Sequence, residues 1–88
     1  MERTVTIVNK LGVHARAAAK LVTLANKFKS EIRLRKGGRE VSGKSIMGVM
    51  MLAAAKGSRI TVIAKGSDAE KALDQIEALI RGRFGEEA

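Results

Sequence analysis

Three segments of this chain alternate apolar and polar residues with a period of two, two others repeat their apolar residues at helical spacing, and a glycine-led hairpin and a short apolar helix lie between them. The two kinds interleave along the sequence, and this order narrows the possible folds more than any other feature. Arg3 to Val8 reads as a first strand, with Val5 and Ile7 on one face and Thr4 and Thr6 on the other. Asn9 to Gly12 breaks the pattern. From Ala15 to Phe28, Ala17, Leu21, Leu24 and Phe28 recur at helical spacing, which predicts an amphipathic helix. Ile32 and Leu34 alternate with Arg33 and Arg35 as a second strand. Gly37-Gly38 then turns the chain into a short third strand, Arg39 to Gly43. Ser45 is a natural N-cap for an apolar helix from Ile46 to about Ala55, closed by Lys56 and Gly57. Arg59 to Lys65 is a fourth strand, with Ile60, Val62 and Ala64 on one face. Ser67 and Glu70 have capping-box spacing before a last helix, which carries Ala69, Ala72, Leu73, Ile76, Leu79 and Ile80 as its apolar positions.

The order is βαββαβα, and three helices for four strands predict an α+β domain in two layers, a sheet covered on one face. With 88 residues the expectation is a single domain spanning 1–88. Such a chain has no room for a deep cleft, so its function should reside in a surface patch rather than in an enzyme's own substrate pocket. Val8 and Ile63 are expected on the open face of the sheet.

Composition excludes several classes of chemistry. There is no cysteine, hence no thiolate nucleophile or disulfide, and a single histidine leaves no set of ligands for zinc. No metal and no cofactor is therefore expected. Met1 to Lys10 has no continuous apolar core of the secretory type, and the apolar run Ile46 to Ala55 is too short to span a bilayer. A cytoplasmic protein without membrane insertion is expected. The formal net charge of +8 attracts anionic partners. Phe28 and Phe84 are the only aromatic residues, so bases would find little to stack on and no nucleic acid is expected as a partner. A basic nucleic-acid-binding domain remains the alternative class. It accounts for the charge but predicts nothing about His14 or Arg16, and it would show steep salt dependence.

His14 lies in the turn between the first strand and the first helix. The first amides of a helix have no partner within it, and the dipole makes that end electropositive. Together they form an anion site. The same field favours neutral imidazole, the form able to attack phosphorus. A phosphoryl group on His14 would meet the amides of Ala15, Arg16 and Ala17, and the Arg16 guanidinium matches phosphate oxygens. The plain alternative is a solvated cap beside a solvent-facing arginine, and spacing alone favours it. No second histidine, carboxylate cluster or phosphate-binding loop competes for the chemistry.

Ser45 has two readings as well. It is an N-cap, and it is also an exposed hydroxyl whose phosphate would be stabilised by helix amides. The helix after it holds more methionine than a short core helix needs, which suits an adaptable docking surface. Ile46, Met47 and Met50 are the docking candidates, with Met47 and Met50 outward and the rest at least partly buried. Lys20, Lys27, Lys29, Arg33, Arg35, Lys36, Arg39 and Lys44 are dispersed over several elements and read mostly as solvated faces.

Two segments carry a family resemblance. Asn9-Lys10-Leu11-Gly12-Val13-His14-Ala15-Arg16-Ala17-Ala18 resembles the active-site segment of HPr, the histidine-containing phosphocarrier of the bacterial phosphoenolpyruvate-dependent sugar phosphotransferase system. Lys44-Ser45-Ile46-Met47-Gly48-Val49-Met50-Met51-Leu52-Ala53 resembles the regulatory-serine helix of that family, and the similarity runs over essentially the whole chain. The resemblance implies an open-faced β-sandwich, a four-stranded antiparallel sheet with three helices on one side. It implies that His14 accepts a phosphoryl group on Nδ1 from phospho-enzyme I and passes it to enzyme IIA domains in sugar uptake, with Arg16 stabilising the group in transit. Ser45 would be the site of HPr kinase/phosphorylase, in bacteria that have it, and phosphate there would weaken docking to enzyme I. A related branch of the system serves nitrogen regulation with the same histidine chemistry. The expected protein is a monomeric carrier and not an enzyme. Two departures stand out. Ala17 occupies the place where the family commonly has proline, and the net positive charge is atypical. His14 is expected to be exposed.

Overall fold

A computed structural model describes all 88 residues, Met1–Ala88. Its elements are β1 (Glu2–Thr6), α1 (Ala15–Ala25), β2 (Glu31–Lys36), β3 (Arg39–Ser42), α2 (Ile46–Met51), β4 (Arg59–Lys65) and α3 (Ala69–Arg81), followed by a short 3-10 turn at Arg83–Gly85. The strands form one antiparallel sheet in the order β1-β4-β2-β3. The three helices cover one face, giving the open-faced α+β sandwich that the interleaved periodicities predict. Val5, Ile32, Leu34, Ile60, Val62 and Ala64 of the sheet meet Leu21, Val22, Leu73, Ile76 and Ile80 of the helices in one core of 22 buried residues. Side chains on the other face are polar and partly paired, with Arg33 on Glu40 at 2.8 Å and Thr4 facing Thr61 at 3.0 Å. Ile63 is half-buried among these charges and Val8 is exposed, as expected.

Element ends depart from the sequence pattern where side chains compete for backbone groups. β1 stops at Thr6 rather than Val8. Ile7 stays buried and bonds to Ser58 and Gly57, but Val8 turns to solvent. β2 extends one residue beyond the alternation at each end, and β3 stops at Ser42. Gly43 closes over Ile32, whose Cγ2 would lie 2.7 Å from an added Cβ. α1 ends at Ala25, not Phe28. Both the backbone N–H and the side-chain amide of Asn26 donate to the Val22 carbonyl, ending the helix as a local competitor for its hydrogen bonds. Phe28 reaches the core from the turn beyond.

α2 is shorter still. Ala53 adopts a left-handed φ of +48°, and Leu52 and Ala54 swing inward to the core. The carbonyls left open are taken by cations from the β2–β3 hairpin: Arg39 donates to Met51, and Lys36 to Leu52 and Ala53. The capping box expected before α3 does not form. Asp68 is the N-cap, yet its carboxylate makes no bond to the helix. It instead accepts from Lys29 N, Ser30 N and the Ser30 hydroxyl, fastening the α1–β2 loop to the start of α3.

Candidate functional site

The turn before α1 is built so that His14 can occupy only one place. Gly12 has a φ of +69°, and a Cβ there would sit 2.6 Å from the Ala54 carbonyl oxygen, so only glycine fits. Asn9, fully buried, donates from Nδ2 to the Gly12 carbonyl at 2.7 Å, and Val13 N donates to the Ala54 carbonyl at 2.9 Å. These contacts pin the turn to the segment that follows α2. His14 is then the N-cap of α1 in extended backbone, and its Nδ1 accepts from Arg16 N at 3.2 Å. No acidic residue lies within the first turn of α1 itself.

The ring is not freely exposed, contrary to the sequence expectation. About 30% of its side chain is accessible, because Nε2 meets Glu86 Oε2 at 2.5 Å. Glu86 lies 72 residues further on, and no periodicity or spacing connects it with His14. Its other oxygen accepts from Asn9 Nδ2 at 3.0 Å. These bonds, from His14 first and Asn9 second, hold the Glu86 carboxyl below its ordinary pKa. The terminal segment is anchored on both sides of this contact. Phe84 is fully buried, its carbonyl accepts from Lys20 Nζ at 2.6 Å, and the Ala88 carbonyl accepts from Lys10 N at 3.0 Å. Burying a phenylalanine side chain contributes about 1.5–3 kcal/mol, enough to offset much of the strain at Arg83 and Phe84, whose φ angles are +58° and +54°.

Of the other predicted residues, Ala15 and Arg16 are exposed beside the ring, and the side chain of Ala17 belongs to the core. Arg16 also borders a shallow groove along α1 with Ala19, Lys20, Thr23, Leu24, Lys27 and Leu79, which gathers three cations on one side of the molecule. The basic residues are therefore more than a solvated coat. Lys36 and Arg39 cap α2, and Lys44 Nζ donates to the Phe28 carbonyl at 2.8 Å.

Ser45 is exposed, and its Oγ accepts from Gly48 N at 3.1 Å, a working N-cap. Ile46, Met47 and Met50 of α2 are exposed as docking candidates should be, but the expectation that only Met47 and Met50 point outward fails at Ile46 and at Met51, which is 56% exposed. A helix of six residues has room for one inward stripe, and Val49 fills it. Leu11, 70% exposed in the His14 turn, adds a further apolar side chain that the sequence pattern did not single out.

Comparison with known proteins gives a consistent result. Residues 1–82 match the family model described as PTS HPr component phosphorylation site. The phosphocarrier protein HPr of Cupriavidus necator is 54% identical over 86 residues, covering 98% of this chain and 97% of that protein. The phosphocarrier protein NPr of Shewanella violacea is 49% identical, with coverage of 98% and 94%. Among solved structures, HPr-C-His from Thermoanaerobacter tengcongensis superposes with a TM-score of 0.96 at 43% identity, covering 100% of this chain and 99% of that one. An HPr dimer from the same organism matches with a TM-score of 0.79 at 43% identity, with coverage of 98% and 99%.

Proposed function

This chain belongs to the HPr family of phosphocarriers of the phosphotransferase system, and from that premise we propose that His14 carries the phosphoryl group, on Nδ1. The observation behind this assignment is the orientation of the ring. As the N-cap of α1, His14 turns Nδ1 toward the first-turn amides, where Arg16 N already lies 3.2 Å away. The Nδ1 lone pair attacks phosphorus, the N–P bond forms, and the bond from phosphorus to its donor breaks. The phosphoryl oxygens replace Nδ1 as acceptors for amides at the helix start, and the exposed Arg16 guanidinium closes on them as a fork. Onward transfer reverses these steps toward the acceptor. The donor is phospho-enzyme I and the acceptor an enzyme IIA domain.

Ile46, Met47 and Met50, with Met51 and Leu11, form the apolar part of the docking surface, and the groove of Arg16, Lys20 and Lys27 supplies charge for an acidic partner. Ser45 is the regulatory site, where a kinase-added phosphate places negative charge beside this patch. The protein acts as a carrier rather than an enzyme, and as a cytoplasmic monomer, its core closed within one chain. No helix is long and apolar enough to cross a membrane. The similarity to NPr supports a second reading in which the acceptor is the IIA domain of the nitrogen-related branch.

Incubation with phosphoenolpyruvate and catalytic enzyme I, followed by intact mass, tests the assignment. The wild type is expected to gain one phosphate that is lost in acid and kept in base. His14→Ala, folded by circular dichroism, is expected to gain none. Normal phosphorylation of that variant would overturn the assignment, and offering each type of IIA domain decides the branch.

A further inference from the structure

We propose that Glu86 is a positioning residue for phosphoryl transfer: it holds the His14 ring as the Nε2–H tautomer, so that Nδ1 keeps its lone pair for phosphorus. The inference rests on the reading that His14 is the carrier. An ionised carboxylate only accepts hydrogen bonds, so the ring nitrogen facing Glu86 Oε2 at 2.5 Å must carry the proton. Neutral imidazole has one N–H, and Nδ1 is therefore the free base. The Arg16 amide, which donates to Nδ1 at 3.2 Å, requires the same tautomer from the other side of the ring. As the P–Nδ1 bond forms and the donor's bond to phosphorus breaks, positive charge grows on the imidazole. The proton stays on Nε2, and the carboxylate lies against it throughout.

The contact is built rather than incidental. Glu86 uses both oxygens, and its second partner, Asn9, is a fully buried side chain that also fixes the Gly12 turn. One amide nitrogen thus links the carboxylate to the loop that positions the ring. Chain termini usually fray unless tied down. Here three consecutive residues, Arg83, Phe84 and Gly85, take left-handed angles of +58°, +54° and +80°, and Phe84 is sunk in the core immediately before Glu86. Non-glycine residues enter that region rarely, and strain of this kind gathers at functional sites. The turn brings Glu86 back over His14, whereas neighbouring Glu87 is exposed and engages Arg83 only through its carbonyl.

The test compares Glu86→Gln, Glu86→Ala and Glu87→Gln with the wild type. It uses the 15N shifts of the His14 ring and the rate of phosphoryl acceptance from phospho-enzyme I. Glutamine is the diagnostic variant because it keeps size while replacing one acceptor with a donor. It must set an N–H against either Asn9 Nδ2 or His14 Nε2. The wild-type ring is expected to be protonated on Nε2. Glu86→Gln is expected to populate the Nδ1–H form and to accept phosphate about tenfold more slowly, with KM little changed. Glu86→Ala, which leaves Nε2–H to water, should lose less, and Glu87→Gln should match the wild type. A wild-type ring protonated on Nδ1, or a Glu86→Gln variant with wild-type tautomer and rate, would overturn the proposal and leave the carrier reading standing. A wild type that accepts no phosphate under conditions where a known carrier does would overturn the carrier reading, whatever the ring shifts show.

Discussion

The amino ends of α1 and α3 present the same orphan amides and are furnished in opposite ways. At α3 the chain supplies its own negative charge, with Asp68 as N-cap and Glu70 in the first turn. At α1 the cap is His14, the next-but-one residue is Arg16, and the first turn has no acid. Glu70 within the first turn of α3 already offsets the positive end of that helix. At α1 the only acid comes from outside the helix, Glu86 on the far ring nitrogen of His14, so the first turn itself stays open to an anion. The difference sets the two helix ends apart without reference to any ligand. The Asp68 carboxylate itself turns away from the helix to fasten Lys29 and Ser30, so Glu70 is the acid of the α3 first turn.

The strongest way to break this contrast is to give the first turn of α1 an acid of its own. Ala15 is exposed at the first helical position, so Ala15→Glu adds a carboxylate where a phosphoryl group would sit. Two effects of opposite sign are expected. The fold gains about 0.3–1 kcal/mol from the dipole, read as a higher thermal midpoint. Phosphoryl acceptance falls about five- to thirtyfold, as for a loss of about 1–2 kcal/mol, because like charges now share the site. A variant that is more stable and equally fast would show that the end of α1 is not where the phosphate goes.

Ser45→Asp should have a smaller effect. Aspartate caps a helix about as well as serine, so stability should hold. Charge beside Ile46 and Met47 should slow transfer from enzyme I about fivefold, equivalent to about 1 kcal/mol, and more at low salt. Transfer kinetics identical to the wild type at low salt would remove Ser45 from the docking surface.

Legibility in the sequence followed the range of the interactions. Period-two and helical patterns are local, so Val5, Ile60, Leu73 and Ile76 identified their elements and their buried faces directly. His14 and Arg16 were legible because a helix start is itself a local feature. Glu86 was not, since the contact spans 72 residues and depends on three left-handed angles and a buried Phe84 that no short window reveals. The helix ends failed for a related reason. Asn26, Ala53 and Asp68 ended or started helices through side-chain competition and tertiary cation caps, which act against the periodic signal. The Ser67–Glu70 spacing matched a capping box, but the helix starts one residue later, with Asp68 as its N-cap and the Asp68 carboxylate on Ser30 and Lys29.

The smallest effect on transfer belongs to the other half of the contrast. The Ser30 hydroxyl, then the Lys29 amide, hold the Asp68 carboxyl down at about 2, below its ordinary value of 3.8. A group whose pKa is lower in the folded state than in the unfolded one binds fewer protons when folded. Its contribution to stability is therefore complete above the ordinary value and is lost as pH falls from about 4 to about 2. Asp68→Asn removes that titration, so its thermal midpoint should vary less steeply over this acid interval than that of the wild type. At neutral pH the same variant should accept and donate phosphate at the wild-type rate, because the carboxylate serves the α1–β2 loop and not an anion at the end of α3. A slowed transfer with an unchanged acid limb would reverse the assignment of the two helix ends. An altered acid limb with unchanged transfer would fix α3 as the structural member of the pair.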